Sequence, residues 1–271
     1  MTTFDQRRVE AFLLARGAGR LGMGPISYND AEAAAFQATR HLTRDGLAQW
    51  RDAVARYLAP RPGMRLLDLG AGTGMWAVAF TDWYGIEVVA VEPSEAMRAR
   101  SSYPGMLVGH ASAIPLEAAS VDGAWLSTVI HHIPDLRAAA TELRRVLRLG
   151  APVLIRSAFP GRHEQITLFR FFPEAIRVLD TYSQRRGRVR CLRHGGLRVC
   201  CPGTRTPGER RFPQDSGRSA TSRRAHPLKL LTDEEYETGL ARLQAAADTD
   251  SKTSPVVDAL DLLILRKVEA V

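Results

Sequence analysis

The sequence predicts an α/β fold in which a mostly parallel sheet carries helices on both faces, with a helical segment ahead of it and a cap behind it. Three observations carry this expectation. Short apolar runs alternate with helical stretches from Met64 to Ile155. The runs are apolar throughout rather than at every second residue, as strands buried on both faces are. A glycine-rich turn, Gly70 to Gly74, stands where the first run gives way to a helical pattern. The 271 residues, 45% apolar and 24% charged, suit one main domain with additions and exclude a fully disordered or fibrous chain.

In chain order, Phe4, Val9, Phe12 and Leu13 space an amphipathic helix from Phe4 to Arg16, ended by the glycines between 17 and 24. Asn29-Asp30 caps a second helix over Ala31–Leu42, and Asp45 a third through Trp50 to Leu58. Pro60 to Gly63 marks a boundary. Strands are expected at Met64–Leu69, Ile86–Val91, Met106–Val108, Gly123–Ser127 and Val153–Ile155. Between them lie helices at Gly74–Tyr84, at Ser94–Ser101 with Ser94 as cap, and at Asp135–Leu147 with Leu136, Ala140, Leu143 and Leu147 on one face. The apolar run Ile166–Leu179 should cover another surface. Thr232-Asp-Glu-Glu235 has capping-box form and opens a helix to about Ala247. Val257–Arg266 reads as a late strand.

The net charge of +8 would suggest an anionic partner, but its location argues otherwise. Residues 184–227 hold twelve arginines against Glu209 and Asp215, a surplus of ten, so the rest of the chain is mildly acidic at −2. This stretch has little periodic apolar pattern and is too polar to offset its ordering entropy. A basic insertion and an altered reading frame are both open explanations for it. All three cysteines, Cys191, Cys200 and Cys201, fall there. An odd count with an adjacent pair fits a reduced, cytoplasmic setting. No apolar run approaches the roughly 18 residues of a membrane span, no secretory leader is evident, and no metal-ligand spacing occurs.

The informative run is Leu66-Leu67-Asp68-Leu69-Gly70-Ala71-Gly72-Thr73-Gly74. Its glycines permit a tight turn and close approach of a ligand, and the helix that follows directs free N–H groups at that space. Glu92 stands twenty residues past Gly72, at the end of the second strand, where a carboxylate can accept both hydroxyls of a ribose. The spacing is G-x-G-x-G rather than the dinucleotide G-x-G-x-x-G. Asp68 is poorly placed beside a pyrophosphate but suits an ammonium or sulfonium group.

These motifs resemble the class I S-adenosylmethionine-dependent methyltransferases, in particular the bacterial small-molecule branch that includes ubiquinone/menaquinone biosynthesis and natural-product enzymes. The resemblance covers about residues 45–160, through LLDLGAGTG, VVAVEPSEAM, VGHASAIPLEAASVDGAWLSTVIHHIPD and ELRRVLRLGAPVLI. It implies a Rossmann-like core at 61–160, a helical lid at 1–60, a substrate roof at 161–256 containing the arginine-rich 184–227, and a late strand at 257–271. The implied cofactor is S-adenosylmethionine, with S-adenosylhomocysteine as product. Asp68, Gly70, Ala71, Gly72, Glu92 and Pro93 would contact it, with Ala111 and Ser112 by the adenine, Ser127 by the methionine portion and Tyr28 from the lid. His110 occupies a place where the family usually has an acid.

The resemblance also implies metal-independent, in-line methyl transfer to a carbon, nitrogen or oxygen of a small organic molecule. His131 and His132 follow the fourth expected strand at the pocket's edge and are the candidate catalytic residues, His132 ahead, as a base or an orienting group. Arg40, His41, Arg156 and His163 are weaker candidates. Phe169, Phe171, Phe172 and Ile176 stand where the family builds its roof, and an aromatic roof would suit an apolar or planar acceptor. Two alternatives stay open: a nucleic-acid methyltransferase using the basic stretch, and a cofactor-binding protein without catalysis. Against the first, the stretch offers only Phe212 for base stacking.

Overall fold

Six strands form one sheet in the computed structural model, whose described residues are Asp30, Ala33, 44–157, 166–177, 197–199, 228, 231–249 and 260–269. In chain order these residues form helix α1 (Arg44–Leu58), strand β1 (Arg65–Leu69), α2 (Met75–Tyr84), β2 (Glu87–Val91) and the short α3 (Glu95–Arg98). Then come β3 (Gly123–Ser127), a 3-10 turn at Ile130–His132, α4 (Leu136–Val146), β4 (Pro152–Ser157), α5 (Thr167–Phe171), β5 (Leu197–Val199), α6 (Asp233–Thr249) and β6 (Asp261–Lys267). The sheet runs β2-β1-β3-β4-β6-β5. Its first four strands are mutually parallel, and β6 is antiparallel to both β4 and β5.

Strand alternation divides the apolar residues into two layers. Leu66, Val88, Ala90, Trp125 and Leu154 face one side, against Trp50, Val54 and Leu58 of α1 and Trp76 and Phe80 of α2. Leu67, Val89, Val91, Ala124, Leu126, Val153 and Ile155 face the other, against Ala140, Leu143 and Val146 of α4. All four tryptophans gather in the first layer, with Trp76 6.3 Å from both Trp50 and Trp83 and 5.0 Å from Trp125 between ring centres.

Local signals explain the element ends. Ser94 Oγ accepts the Met97 N–H at 3.3 Å, so Ser94 caps as expected, and Asp135 Oδ1 accepts from Arg137 and Ala138 at 2.9 Å each, which makes Asp135 the cap of α4. The capping box before α6 is complete, with Glu235 N–H donating to Thr232 Oγ1 at 3.2 Å and Thr232 N–H to Glu235 Oε2 at 2.9 Å. Gly239 of α6 faces Phe172, and a Cβ there would overlap the ring.

Three expectations need correction. Met106–Val108 is not a strand: only Leu107 bridges to Val91, between Gly105 in the left-handed region (φ 71°) and a tightly packed Gly109, and Val108 is left 62% exposed. The arginine-rich stretch is not wholly without structure, because residues 197–199 pair with β6 and Leu197 is fully buried. A three-residue strand is too short to carry a period, and its order comes from the neighbouring strand. Finally, the expected lid at 1–60 includes α1, yet Trp50, Val54 and Leu58 lie in the apolar layer on the sheet. The expected helices at Phe4–Arg16 and Ala31–Leu42 lie outside the described residues, apart from Asp30 and Ala33.

Leu143 joins α4 to the sheet at zero exposure. Leu143→Ala should lower stability by about 3 kcal/mol through lost burial and a residual cavity, measured by urea unfolding.

Candidate functional site

The carboxyl end of β1 runs directly into the glycine turn. Gly70, Gly72 and Gly74 all adopt positive φ, at 73°, 60° and 81°. Gly70 and Ala71 donate their N–H groups to Val91 O at 2.8 and 3.1 Å, which ties the turn to the end of β2. A Cβ at Gly70 would overlap Val129 Cγ2, so a side chain is excluded by space as well as by conformation. The turn delivers the chain to α2, whose N-terminus faces the same edge of the sheet.

Two buried carboxyl groups lie behind the turn. Glu92 accepts the Gly72 N–H on Oε2 at 2.8 Å and the Ser94 N–H on Oε1 at 2.9 Å. Burial raises its pKa, while the Ser94 and Gly72 N–H groups, then Arg98 and His110, pull it down. Asp68 is 1% exposed, and its Oδ2 receives no hydrogen bond among the described residues. Burial first, and the charge of Glu92 second, push the Asp68 carboxyl up to about 8. Near neutral pH Asp68 therefore keeps its proton, and a cation seated against it would displace that proton. A glycine turn open to a ligand, a carboxylate oriented by two backbone N–H groups and a buried acceptor lacking a donor fit a nucleoside that carries a cationic group.

The end of β3 closes the other side. Arg156 Nη1 donates to Ser127 Oγ at 3.1 Å, while its guanidinium lies 4.7 Å from the Trp50 ring centre and 5.4 Å from that of Trp76. Thr128 holds the left-handed region at φ 52°, costly for a β-branched residue, and donates its N–H to Arg156 O at 2.7 Å. Val129 then packs against Gly70, and the 3-10 turn places His131 and His132 side by side, half-buried, with ring centres 4.0 Å apart.

The structure thus brings Asp68, Gly70, Ala71, Gly72 and Glu92 together at one edge, with Ser127, His131 and His132 beside them. Pro93 is exposed, Ala111 half-buried, and Ser112 exposed at the tip of the loop that follows β2. Tyr28, Arg40, His41 and His163 lie outside the described residues. Of the expected roof residues, Phe169 and Phe172 are buried in the packing with α6, and Phe172 stacks on Tyr236 at 5.9 Å. Sequence reasoning missed Thr128, whose strain has no sequence signal, and the pair Glu142 and Arg145, whose three-residue spacing on a helix was visible. Among the described residues no group of His, Cys, Asp and Glu could hold a metal ion, and no helix is long and apolar enough to cross a membrane.

Residues 67–155 match the family model for a methyltransferase domain. An O-methyltransferase of Pyrenophora dematioidea is 32% identical over 112 residues, covering 38% of this chain and 42% of that protein. The ubiquinone/menaquinone biosynthesis C-methyltransferase UbiE of Cereibacter sphaeroides is 32% identical over 117 residues, covering 39% and 47%. The chain spans about half the length of the curated relatives it matches. Among solved structures, a putative methyltransferase from an antibiotic biosynthesis pathway of Anabaena variabilis aligns with a TM-score of 0.61 at 20% identity, over 82% of this chain and 97% of that one. The fold is the Rossmann-like one of class I methyltransferases.

The state of Asp68 has a measurable consequence. Its folded pKa of about 8 lies above the ordinary 3.8, so its contribution to stability is full below about pH 4 and is lost as pH rises through 8. Glu92 adds a slope of the same sign. Asp68→Asn should flatten the fall in melting temperature of the ligand-free protein across that window. Equal slopes for the two proteins would contradict the assignment.

Proposed function

We propose that this chain, which carries a methyltransferase domain over residues 67–155, transfers a methyl group from S-adenosylmethionine to a small organic acceptor. The observation that supports it most is the pairing of Glu92 with the glycine turn beside the buried Asp68. When bound, the cofactor supplies a methyl group already activated by its sulfonium, which leaves the protein the tasks of alignment and water exclusion.

Each residue then has a physical role. Glu92, fixed on both oxygens, keeps lone pairs for the ribose hydroxyls. The turn at Gly70, Ala71 and Gly72 brings the ligand close to the backbone, and Asp68 answers its positive charge. Pro93, Ala111 and Ser112 border the base, and Ser127 the methionine portion; Tyr28, outside the described residues, is a further contact implied by the resemblance. His132, helped by His131, would orient the acceptor and take the proton that its O–H, N–H or C–H gives up on methylation, while the carbon–sulfur bond of the methyl breaks and S-adenosylhomocysteine leaves. The G-x-G-x-G spacing departs from the dinucleotide fingerprint, so NAD is not expected to bind.

A small acceptor fits the mildly acidic charge outside residues 184–227 and the methyltransferases among the relatives, which include O- and C-methylating proteins. The nucleic-acid reading has only the basic stretch in its favour.

Calorimetry with S-adenosylhomocysteine should give micromolar binding and none with NAD. Asp68→Ala and Glu92→Ala should each weaken binding by roughly 1.5–3 kcal/mol. Binding of NAD in place of S-adenosylhomocysteine would reverse the reading. For catalysis, a labelled-methyl assay against cell extract should place label in the small-molecule fraction, and His132→Ala should lower that turnover about a hundredfold while cofactor affinity changes little. Label mainly in RNA or protein would overturn the acceptor class.

A further inference from the structure

The loop between β2 and β3 that carries His110, Ala111 and Ser112 is held from a distant element. The chain reverses at its tip, where Ala113 N–H donates to His110 O at 3.0 Å. Its returning limb is gripped by α4. Arg145 donates from Nη2 to Ile114 O at 2.9 Å and from Nη1 to Leu116 O at 2.6 Å. Glu142, one turn earlier, accepts the Ile114 N–H on Oε2 at 2.8 Å. The two side chains also lock each other, with Arg145 Nε on Glu142 Oε1 at 2.7 Å and Nη2 on Oε2 at 2.8 Å. Both backbone groups of Ile114 are thereby occupied, and its side chain is 3% exposed in the layer under α4.

This arrangement is more specific than stability requires. An ion pair as exposed as this one, with side chains 36% and 18% accessible, contributes little to folding by itself. Here the pair is spent on three backbone groups of a single loop, and Arg145 holds the Glu142 carboxyl below the ordinary carboxylate range. A loop fixed before a ligand arrives does not have to be ordered on binding.

We propose that Glu142 and Arg145 are positioning residues for recognition of the cofactor's base: they hold Ala111 and Ser112 at the height where the loop reads the amino edge of adenine. The proposal rests on the S-adenosylmethionine reading above. Neither side chain touches the ligand; each acts through the loop.

The test compares S-adenosylhomocysteine with its analogue carrying hypoxanthine, a 6-oxo purine, in place of adenine. The wild-type protein should prefer the adenine compound about tenfold, the worth of one or two hydrogen bonds at the base edge. Arg145→Met should bring that ratio near one, mostly by weakening the adenine compound. Arg145→Lys, which still reaches one carbonyl, should recover part of the preference. Glu142→Gln keeps the acceptor for the Ile114 N–H and loses the charge facing Arg145, so it should retain the fold and an intermediate ratio. Melting temperatures accompany each variant. A ratio unchanged from wild type in a folded variant, or equal weakening of both compounds, would overturn the positioning role, as would a wild-type protein with no preference. Failure of the wild-type protein to bind either compound would instead remove the cofactor reading on which the proposal rests.

Discussion

The carboxylate of Glu92 is the joint on which the edge of this sheet depends. It takes one N–H from the turn after β1 and another from the segment that opens α3, while the adjacent Val91 O takes two more from the same turn. A carboxylate as buried as this one would be costly without donors. With them, burial and orientation become the same event, and the turn, β2 and α3 are fixed relative to one another. Asp68, two residues before the turn, is left with a buried oxygen that no described residue serves. Among the described residues, the site sets one carboxyl group bonded on both oxygens beside one with an oxygen that receives no hydrogen bond.

The other wall depends on Gly70. Because Val129 fills the space where a side chain would stand, the path of β3 beyond Ser127 is set by the glycine turn of β1. The strained Thr128 lies between these contacts, held by its N–H bond to Arg156 O. The histidine pair follows within one turn. The spacing between the carboxyl pair and the imidazoles is therefore a packing distance fixed by strands and a close contact, not by a free loop. Arg156 contributes from beneath, its charge taken up by the faces of Trp50 and Trp76 and by Ser127.

What could be read from the sequence was whatever rests on local chemistry. The glycine turn, the acid at the end of β2, the cap at Ser94 and the capping box at Thr232 and Glu235 each need only a few neighbouring residues, and each formed where its pattern stood. The failures are tertiary. Met106–Val108 has strand composition, but among the described residues it forms only the bridge from Leu107 to Val91. Leu197 lies in a stretch of poor composition and is ordered by β6. The role of α1 turns on which sheet residues Trp50 meets, and no spacing announces that. At the site, Asp68 and Glu92 were legible as residue types, whereas the clamp of Arg145 on Leu116 joins positions 29 apart that only the fold brings together.

The two carboxyl groups also bear on how a charged ligand can enter and leave a buried edge. If Asp68 and Glu92 were both ionised in the free protein, two like charges would face each other with little water between them; burial first, and that conflict second, raise the pKa of Asp68. Holding a proton on Asp68 removes it. On the proposed reading, arrival of the cofactor exchanges that proton for an organic cation, so the charge of the pocket is the same before and after binding. The pocket then avoids both the repulsion of an empty doubly charged site and the grip of a permanently ionised pair on a product that keeps its ammonium group. Glu92 can remain the fixed partner throughout, because its donors come from the backbone and do not leave with the ligand.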